Sequence, residues 1–382
     1  MNSFPLRQPA MAKALCLIFL FCSATIFAAA QSTSNGDAPI RVAIVGMVHG
    51  HVRGFIPRLK NHPEIQLVGI EEPNRALASK YQDRYHLDPK LFYTQIGPML
   101  QQTHPQAVLV YTAISDHRRV IEIAAAHGVN VMVEKPLTIS LVDALAIRRA
   151  ARIHHIHVMV NYETTWYASN RAAYDELQQG KLGILRKVIV RDGHQGPIEI
   201  HAGTEFTDWL TDPQKNGAGA LFDFGCYGAD LVTGLMHGAT PTSVTAVAQT
   251  DKPQIYPHVD DDATIIVRYP GMQAVIMASW NWSFAVKNME VYGTKGYAFT
   301  QKADEIGVRY TGQKDATWTT ATPLAAPQND SIDYLEAVLR GQYVPKGDLT
   351  ALDTNMIVMQ ILDAARVSAH TGRTVYLKPL PN

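Results

Sequence analysis

The sequence of 382 residues has only three cysteines, Cys16, Cys22 and Cys226, too few for a disulfide framework. It has no excess of either charge, with 34 Lys and Arg against 34 Asp and Glu. A chain balanced in this way carries no basic footprint for nucleic acid or an anionic membrane. Only 18% of the residues are charged and 47% are apolar, which excludes a disordered chain. Glycine (26) and proline (21) are near ordinary usage, so collagen-like and low-complexity readings fall away. No internal repeat and no block of like charge occurs. At roughly 100–200 residues per domain, the length suits two domains.

One long apolar run stands at the start. Arg7 and Lys13 precede Ala14 to Ala30, which ends in Ala28-Ala29-Ala30 and gives way to the polar QSTSNGD. A basic start, an apolar centre and small residues at the end form the pattern of a secretory signal peptide over residues 1–30. At roughly 17 residues, the run is at the lower limit for a membrane span. Phe21 is too bulky for a lipoprotein box at Cys22. No arginine pair precedes the run, so the expected route is Sec-type export of an unfolded chain, to the periplasm or beyond, with no membrane attachment after cleavage. Cleavage leaves Cys226 as the single cysteine. Taking Arg7 and Lys13 from the 34 basic residues leaves 32 against 34 acidic. Any cofactor must then be acquired after export.

The mature chain opens with apolar runs alternating with helical spacing. The runs are IRVAIVG (40–46), IQLVGI (65–70), AVLVYT (107–112), VNVMVE (129–134) and HVMVNY (157–162). Between them, helices are expected after residue 50 and near 74–85, 117–127 and 140–151. Strands apolar almost throughout are those covered on both faces. The series predicts a parallel α/β sheet over 38–162, with ligands at the C-terminal strand ends. After residue 162 the rhythm changes to consecutive strands at 187–192, 242–249, 263–269, 273–282 and 287–293, with a helix near 220–236. A mainly antiparallel second sheet is expected over 163–345. Helices return at 331–340 and 350–370.

The first turn, Gly46-Met47-Val48-His49-Gly50-His51, departs from the dinucleotide pattern of three spaced glycines. Gly46 fits the first position, Val48 takes the second and His51 the third. The setting still fits, because backbone N–H groups between a buried strand and a helix can face a pyrophosphate. The second strand ends in Glu71-Glu72. An acid there accepts ribose hydroxyls and repels a 2′-phosphate, so the pair points to NAD over NADP. Glu72 is the better placed and Glu71 the alternative.

At residue 131 the chain reads Val-Met-Val-Glu134-Lys135-Pro136-Leu137. This Glu-Lys-Pro resembles the glucose–fructose oxidoreductase, inositol dehydrogenase and rhizopine catabolism (Gfo/Idh/MocA) family. Three further segments resemble it in order. Thr112 to His117 is similar to its Thr-Pro loop, with Ala113 for proline. Gly217 to Tyr227 (GAGALFDFGCY) is similar to its glycine-rich segment with Asp and His. Ser368 to Arg373 is similar to its C-terminal turn. Together they cover essentially residues 38–380.

The resemblance implies a Rossmann domain over 38–162, an open-sheet domain over 163–345 that forms homo-oligomers, and a last helix in 346–382 returning to the first domain. It also implies hydride transfer at a hydroxyl of a small sugar, polyol or glycoside, with nicotinamide between the domains. Gly46, Val48, His49, Glu71, Glu72, Thr112, His117, Glu134, Lys135 and Asn161 are the expected NAD contacts. Lys135, Asp223 and Tyr227 are the expected catalytic group. Tyr162 and His194 join them around the substrate.

Hydride removal from a carbinol needs a proton acceptor and donors that hold the alkoxide. A partly desolvated Lys135 is expected to have a lowered pKa. Asp223 and Tyr227, four apart at a helix start, share a face. Tyr227 stands where the family's polyol dehydrogenases carry His. It is expected to exchange protons if the Lys135 cation lowers its pKa, and otherwise to pack and bond substrate. Glu163 replaces a frequent Arg and suits neutral hydroxyls. No metal is expected. His49-Gly50-His51 and His154-His155-Ile156-His157 have no cysteine partners, and Asp260-Asp261-Asp262 reads as a strand-entry turn. Two other functions are compatible with this site: a hydrolase using retained NAD for transient oxidation, elimination and hydration, and a binding protein that lost the chemistry.

Overall fold

A computed structural model describes residues 38–381. The expected signal peptide over 1–30, with Cys16 and Cys22, lies outside the described residues. No helix among the described residues is long and apolar enough to cross a membrane.

The apolar runs of the first half become β1 (Ile40–Val45), β2 (Ile65–Glu71), β3 (Phe92–Tyr93), β4 (Ala107–Val110), β5 (Asn130–Glu134) and β6 (Val158–Asn161). They pair in parallel in the order β3-β2-β1-β4-β5-β6. Val42, Ala43, Ile44 and Val45 are all fully buried, because helices cover both faces. Those helices include α1 (Val52–Arg58), α2 (Arg75–Tyr85), α3 (Ile96–Thr103), α4 (His117–Ala126) and α5 (Leu141–His154). Asn74 caps α2 through the amides of Ala76 and Leu77, and Ser140 caps α5 through that of Asp143. The strand order reverses between β1 and β4. Such a switch point opens a crevice at the C-terminal strand ends, where Gly46 and Thr112 stand.

After α6 (Ala168–Gln178), β7 (Leu185–Gly193) begins a second sheet. Three short helices follow: α7 (Thr204–Leu210), α8 (Pro213–Asn216) and α9 (Ala220–Asp223). Next come α10 (Gly225–Leu235), then β8 (Ser243–Gln249), β9 (Asp262–Tyr269), β10 (Met272–Ser279), β11 (Val286–Gly293), β12 (Gly296–Lys302), β13 (Glu305–Tyr310) and β14 (Thr317–Thr320). The chain ends with α11 (Ser331–Leu339), α12 (Leu352–Thr371) and β15 (Val375–Tyr376). The nine strands run β14-β13-β12-β11-β7-β10-β9-β8-β15. All pairs are antiparallel except β7 with β10, which the helices and β8–β9 bring round in parallel. The one helix expected near 220–236 is two, α9 and α10, divided at Phe224.

One hydrophobic core runs from the first sheet through α10 and α12 to the second sheet. A second lies on the opposite face of the first sheet, where α11 packs with α1. Helix α12 touches β8 and α10 on one side, and α5 and β6 on the other.

The three aspartates at the entry to β9, the last of them its first residue, each bind backbone or side chain. Asp260 accepts the amides of Gly219 (2.8 Å) and Leu221 (2.7 Å), fixing the start of α9. Asp261 accepts those of Asp251 and Lys252, and Asp262 the Ser279 hydroxyl. A Cβ on Gly219 would lie 1.8 Å from the Asp260 carbonyl oxygen, so only glycine permits this approach. Asp260→Ala should remove two amide bonds to a charged acceptor and lower stability by about 2 kcal/mol. Urea unfolding of both proteins measures the difference.

Candidate functional site

The crevice is built first by the turn after β1. Gly46 has φ +75°, and a Cβ there would sit 2.5 Å from the Thr112 methyl carbon, so glycine is required. The Glu72 carboxylate accepts the Met47 amide (2.9 Å) across the turn and the Asn74 amide (2.9 Å) beside it. Glu72 is thus the acid bonded to the turn, and both Glu72 and Glu71 are buried. Burial, then the Glu72 charge, pushes Glu71 up to about 7. The amides of Val48 and Gly50 have no partner among the described residues.

A strap from the second half of the chain covers this turn. Phe206 and Trp209 of α7 pack on the His49 ring at 5.1 and 5.5 Å between centroids. Trp209 Nε1 donates to the Val48 carbonyl (3.4 Å). Glu205 anchors the strap by ion pairs to Arg53 of α1 (2.6 Å) and Lys80 of α2 (3.0 Å). Burial, then His51 and Lys135, keeps the His49 imidazole neutral. Sequence reasoning missed this strap. Its signal is Phe206 and Trp209 three apart in a polar stretch after Gly203.

Glu134, at the end of β5, accepts from Asn161 Nδ2 (3.0 Å) and pairs with His51 Nδ1 (2.8 Å). Burial alone would raise its pKa, yet His51, Asn161 and Lys135 hold it below the ordinary value. Its side chain thus holds His51 and Asn161. His49, His51 and Glu134 bring ligand atoms within 4.8 Å of one another, a grouping that the missing cysteines had argued against. Fully buried His117 meets the Leu137 carbonyl through Nδ1 (3.2 Å), and burial lowers its pKa to about 4.

Lys135 follows Glu134 and is buried at 3% exposure. Its Nζ donates to the Asp223 carboxylate (2.5 Å) and to the Asp223 carbonyl (3.0 Å). Trp280 Nε1 donates to the other Asp223 oxygen (2.9 Å). The expected lowered lysine pKa is corrected here. Burial does oppose the charge, but the Asp223 carboxylate outweighs it and raises Lys135 above an ordinary lysine. Burial likewise pushes Asp223 up, and Lys135 and Trp280 bring it below the usual carboxylate value. The pair is charged throughout the working pH range.

Tyr227 sits over this pair. Lys135 Nζ lies 4.9 Å and Lys287 Nζ 4.5 Å from its ring centroid. The cations face the ring, and burial, then Asp192, raises the phenol well above 10. The expected lowering by Lys135 does not occur, so Tyr227 stands as a neutral phenol. Lys287 pairs with Glu163 (2.7 Å) and lies 3.9 Å from Asp192. Asp192 is buried at 2% exposure and was not anticipated. The signal for it is the period-two stripe Val188, Val190, Asp192 on β7, where a carboxylate takes an inward position.

Tyr162 is a correction. Fully buried, it donates its hydroxyl to Asn355 of α12 (2.9 Å) and packs edge-on against Tyr227, so it braces the site from inside. His194 stands edge-on to Phe224, its Nδ1 accepting the Gly196 amide (2.8 Å). That bond puts the proton on Nε2, and burial keeps the ring neutral.

NAD fits the residues at the turn. The free amides of Val48 and Gly50 suit a pyrophosphate, Gly46 leaves the approach open, and the Glu72 carboxylate keeps lone pairs for ribose hydroxyls. Residues 40–162 match the model described as oxidoreductase family, NAD-binding Rossmann fold, and 170–299 match the GFO/IDH/MocA C-terminal domain.

The chain belongs to the Gfo/Idh/MocA oxidoreductase family.

It is an NAD-binding oxidoreductase of that family. Trans-1,2-dihydrobenzene-1,2-diol dehydrogenase of Xenopus tropicalis is 24% identical over 244 residues, 63% of this chain and 69% of the relative. The solved inositol dehydrogenase homolog from Azotobacter vinelandii, complexed with NAD+, superposes with a TM-score of 0.76 at 20% identity, covering 89% of this chain and 98% of that one. The aldose-aldose oxidoreductase from Caulobacter crescentus, complexed with glycerol, gives 0.75 at 23% identity, covering 89% and 100%.

Two outcomes follow for this oxidoreductase. In the wild type, Asp223 has a depressed folded pKa, so its contribution to stability is full above about pH 4 and is lost as pH falls from there through the lower folded pKa. Lys135→Met strands the buried carboxylate, and burial then raises its pKa. Stability of the variant should instead fall as pH rises above about 4, as thermal melts at several pH values will read. Glu205→Ala removes both strap anchors. NAD release should become about three- to tenfold faster, measured by stopped-flow fluorescence.

Proposed function

We propose that this oxidoreductase oxidises a neutral hydroxyl of a sugar, polyol or diol with NAD, in an exported setting, as a homo-oligomer. The observation that carries the reading is the buried Lys135–Asp223 pair beneath Tyr227, at the same strand ends as the nucleotide turn. Lysine has three N–H donors, and Asp223 uses two. The third is left for a substrate oxygen, where it stabilises developing alkoxide charge. Trp280 keeps the Asp223 carboxylate from turning away from Lys135. Bound NAD supplies the hydride acceptor. Tyr227 presents a phenol that bonds the substrate hydroxyl.

The substrate class follows from charge. Lys135 is neutralised by Asp223 and Lys287 by Glu163, so neither of these cations is free to hold an acidic group. The relatives named above are, by their names, a diol dehydrogenase, an inositol dehydrogenase homolog and an aldose-aldose oxidoreductase. None of them is named a hydrolase, and the hydrolytic alternative draws no support from them.

The homo-oligomer reading rests on the outer face of the second sheet. Ile266, Val275, Ile189, Phe299 and Trp318 stand in one line across the paired strands, broken by Glu290, which pairs with Arg191, and by Gly307. They are half-buried, with Trp318 exposed. An apolar row of this kind is covered by a second copy in our reading. The exported setting rests on the residue pattern of 1–30 alone.

The test is to purify the chain from the exported fraction, sequence its N-terminus, measure its mass in solution, and assay NADH formation with sugars, polyols and diols. A start just after Ala30, a mass of two or more chains and NADH from one hydroxyl class are expected. An intact N-terminus overturns export, and a monomer overturns the oligomer. A folded, NAD-binding protein that oxidises none of these hydroxyls overturns the dehydrogenase.

A further inference from the structure

We propose that Asp192 is the proton acceptor of the site, drawing the substrate's hydroxyl proton through the Tyr227 phenol. This rests on the dehydrogenase reading above. The other groups around the substrate are unsuited to the task. Lys135 is locked as a cation against Asp223. His194 spends Nδ1 on the Gly196 amide and carries its proton on Nε2. Tyr227 is a neutral phenol, which passes a proton only if a base receives one in turn.

Asp192 has the placement of that base. It occupies the inward register of β7, on the face against which α10 packs. Its Oδ2 is buried and makes no hydrogen bond. It lines a small cavity together with Tyr227, Thr164, Asn170 and Lys287. The Tyr227 hydroxyl also has no hydrogen-bond partner among the described residues. Lys287 lies 3.9 Å from Asp192 and pairs with Glu163, whose side chain is 52% exposed. The route therefore ends at solvent.

The step balances. The carbinol C–H bond breaks with its electron pair, leaving as the hydride that reduces NAD. The O–H bond breaks as a C=O bond forms. Its proton goes to the Tyr227 oxygen, while the Tyr227 proton goes to Asp192. Asp192 later releases it past Lys287 and Glu163.

The charged and titratable groups facing Asp192 are Lys287 on β11, Lys135 after β5, Asp223 on α9, Tyr227 and Cys226 on α10, and Glu163 and Tyr167 after β6. Burial raises the Asp192 carboxyl most. The two lysines oppose it, Asp223 and Glu163 add to it, and the result is about 8. An acceptor titrating there is matched to work near neutrality. Oxidation needs the carboxylate form, so its rate should rise with pH through about 8 and then level.

The test compares wild type and Asp192→Asn, both saturated with NAD so that Glu71 beside the nucleotide turn does not enter. In wild type, kcat for oxidation should rise through about pH 8. In Asp192→Asn the limb should vanish, with kcat about 100-fold lower on the plateau and KM nearly unchanged. Asp192→Glu should restore a limb. A limb near 8 that persists in Asp192→Asn, with kcat within about threefold, overturns the proposal.

A second readout needs no substrate. A protonated-carboxyl infrared band titrating near pH 8 is expected in the NAD-loaded wild type and absent in Asp192→Asn; its persistence in the variant overturns the assignment. If Asp192→Asn does not fold, Asp192→Glu decides, since an unmoved limb overturns the proposal and a moved one supports it. The two readings fail separately. Wild type that oxidises no hydroxyl sinks the dehydrogenase and this proposal with it. Oxidation that is indifferent to Asp192→Asn sinks this proposal alone.

Discussion

A lysine ammonium withdrawn from water is the constraint around which this site is arranged. Burying such an ion costs several kcal/mol unless it is paired and its donors are satisfied. Here Asp223 gives it a carboxylate and a carbonyl, and Trp280 holds that carboxylate in register. An apolar pair of similar volume would be at least as stable in such a place. The ion pair is therefore explained by what its remaining N–H can do and not by any gain in stability. It also ties the end of β5 to the end of α9, and so one sheet to the other.

The rigidity of that tie is set some distance away, in the turn before β9. Asp260 fixes the α9 entry through two amides, which sets the direction of Asp223. The Trp280 amide donates to the Asp261 carbonyl, and Lys252 donates to the Trp280 carbonyl. Tyr256 packs on the Trp280 ring at 5.1 Å, and Glu199 holds both Lys252 and Tyr256. Both partners of the Asp223 carboxylate are thus positioned by structure that is not itself in the crevice. Catalytic geometry commonly rests on such support, because the acting side chains must not spend their own freedom to find each other.

The local patterns of the sequence already specify much of this. Apolar runs spaced by helices specify β1 to β6, because strands buried on both faces have no polar register to hide. Gly46, Glu72, Lys135 and Asp223 are legible because each sits at an element end with a residue type the chemistry needs. What the sequence conceals is pairing at long range. Lys135 and Asp223 are 88 positions apart, and without that contact the buried lysine reads as a lowered pKa where the fold raises it. Tyr162 and Tyr227 look alike in a string of residues. Only the packing of α12 shows that one phenol is spent on Asn355 while the other has no partner among the described residues. The polar α6 and the exposed β14 escape notice because neither has a strong apolar period.

The imperfect glycine turn finds its explanation in the same long-range contacts. Glycines at its second and third positions ordinarily let a pyrophosphate and a helix come close. Val48 and His51 give up that closeness, and only two amides are left free. His51 uses its side chain to hold Glu134, so the third position serves the reacting end of the crevice. Phe206 and Trp209 cover His49, which is buried beneath them, and lower the polarity beside the turn. In a less polar crevice each remaining amide acts on a phosphate through a lower dielectric and counts for more. Fewer backbone donors under an aromatic strap are therefore a physical equivalent of the open glycine-rich turn, reached by a segment that begins more than 150 residues further along the chain.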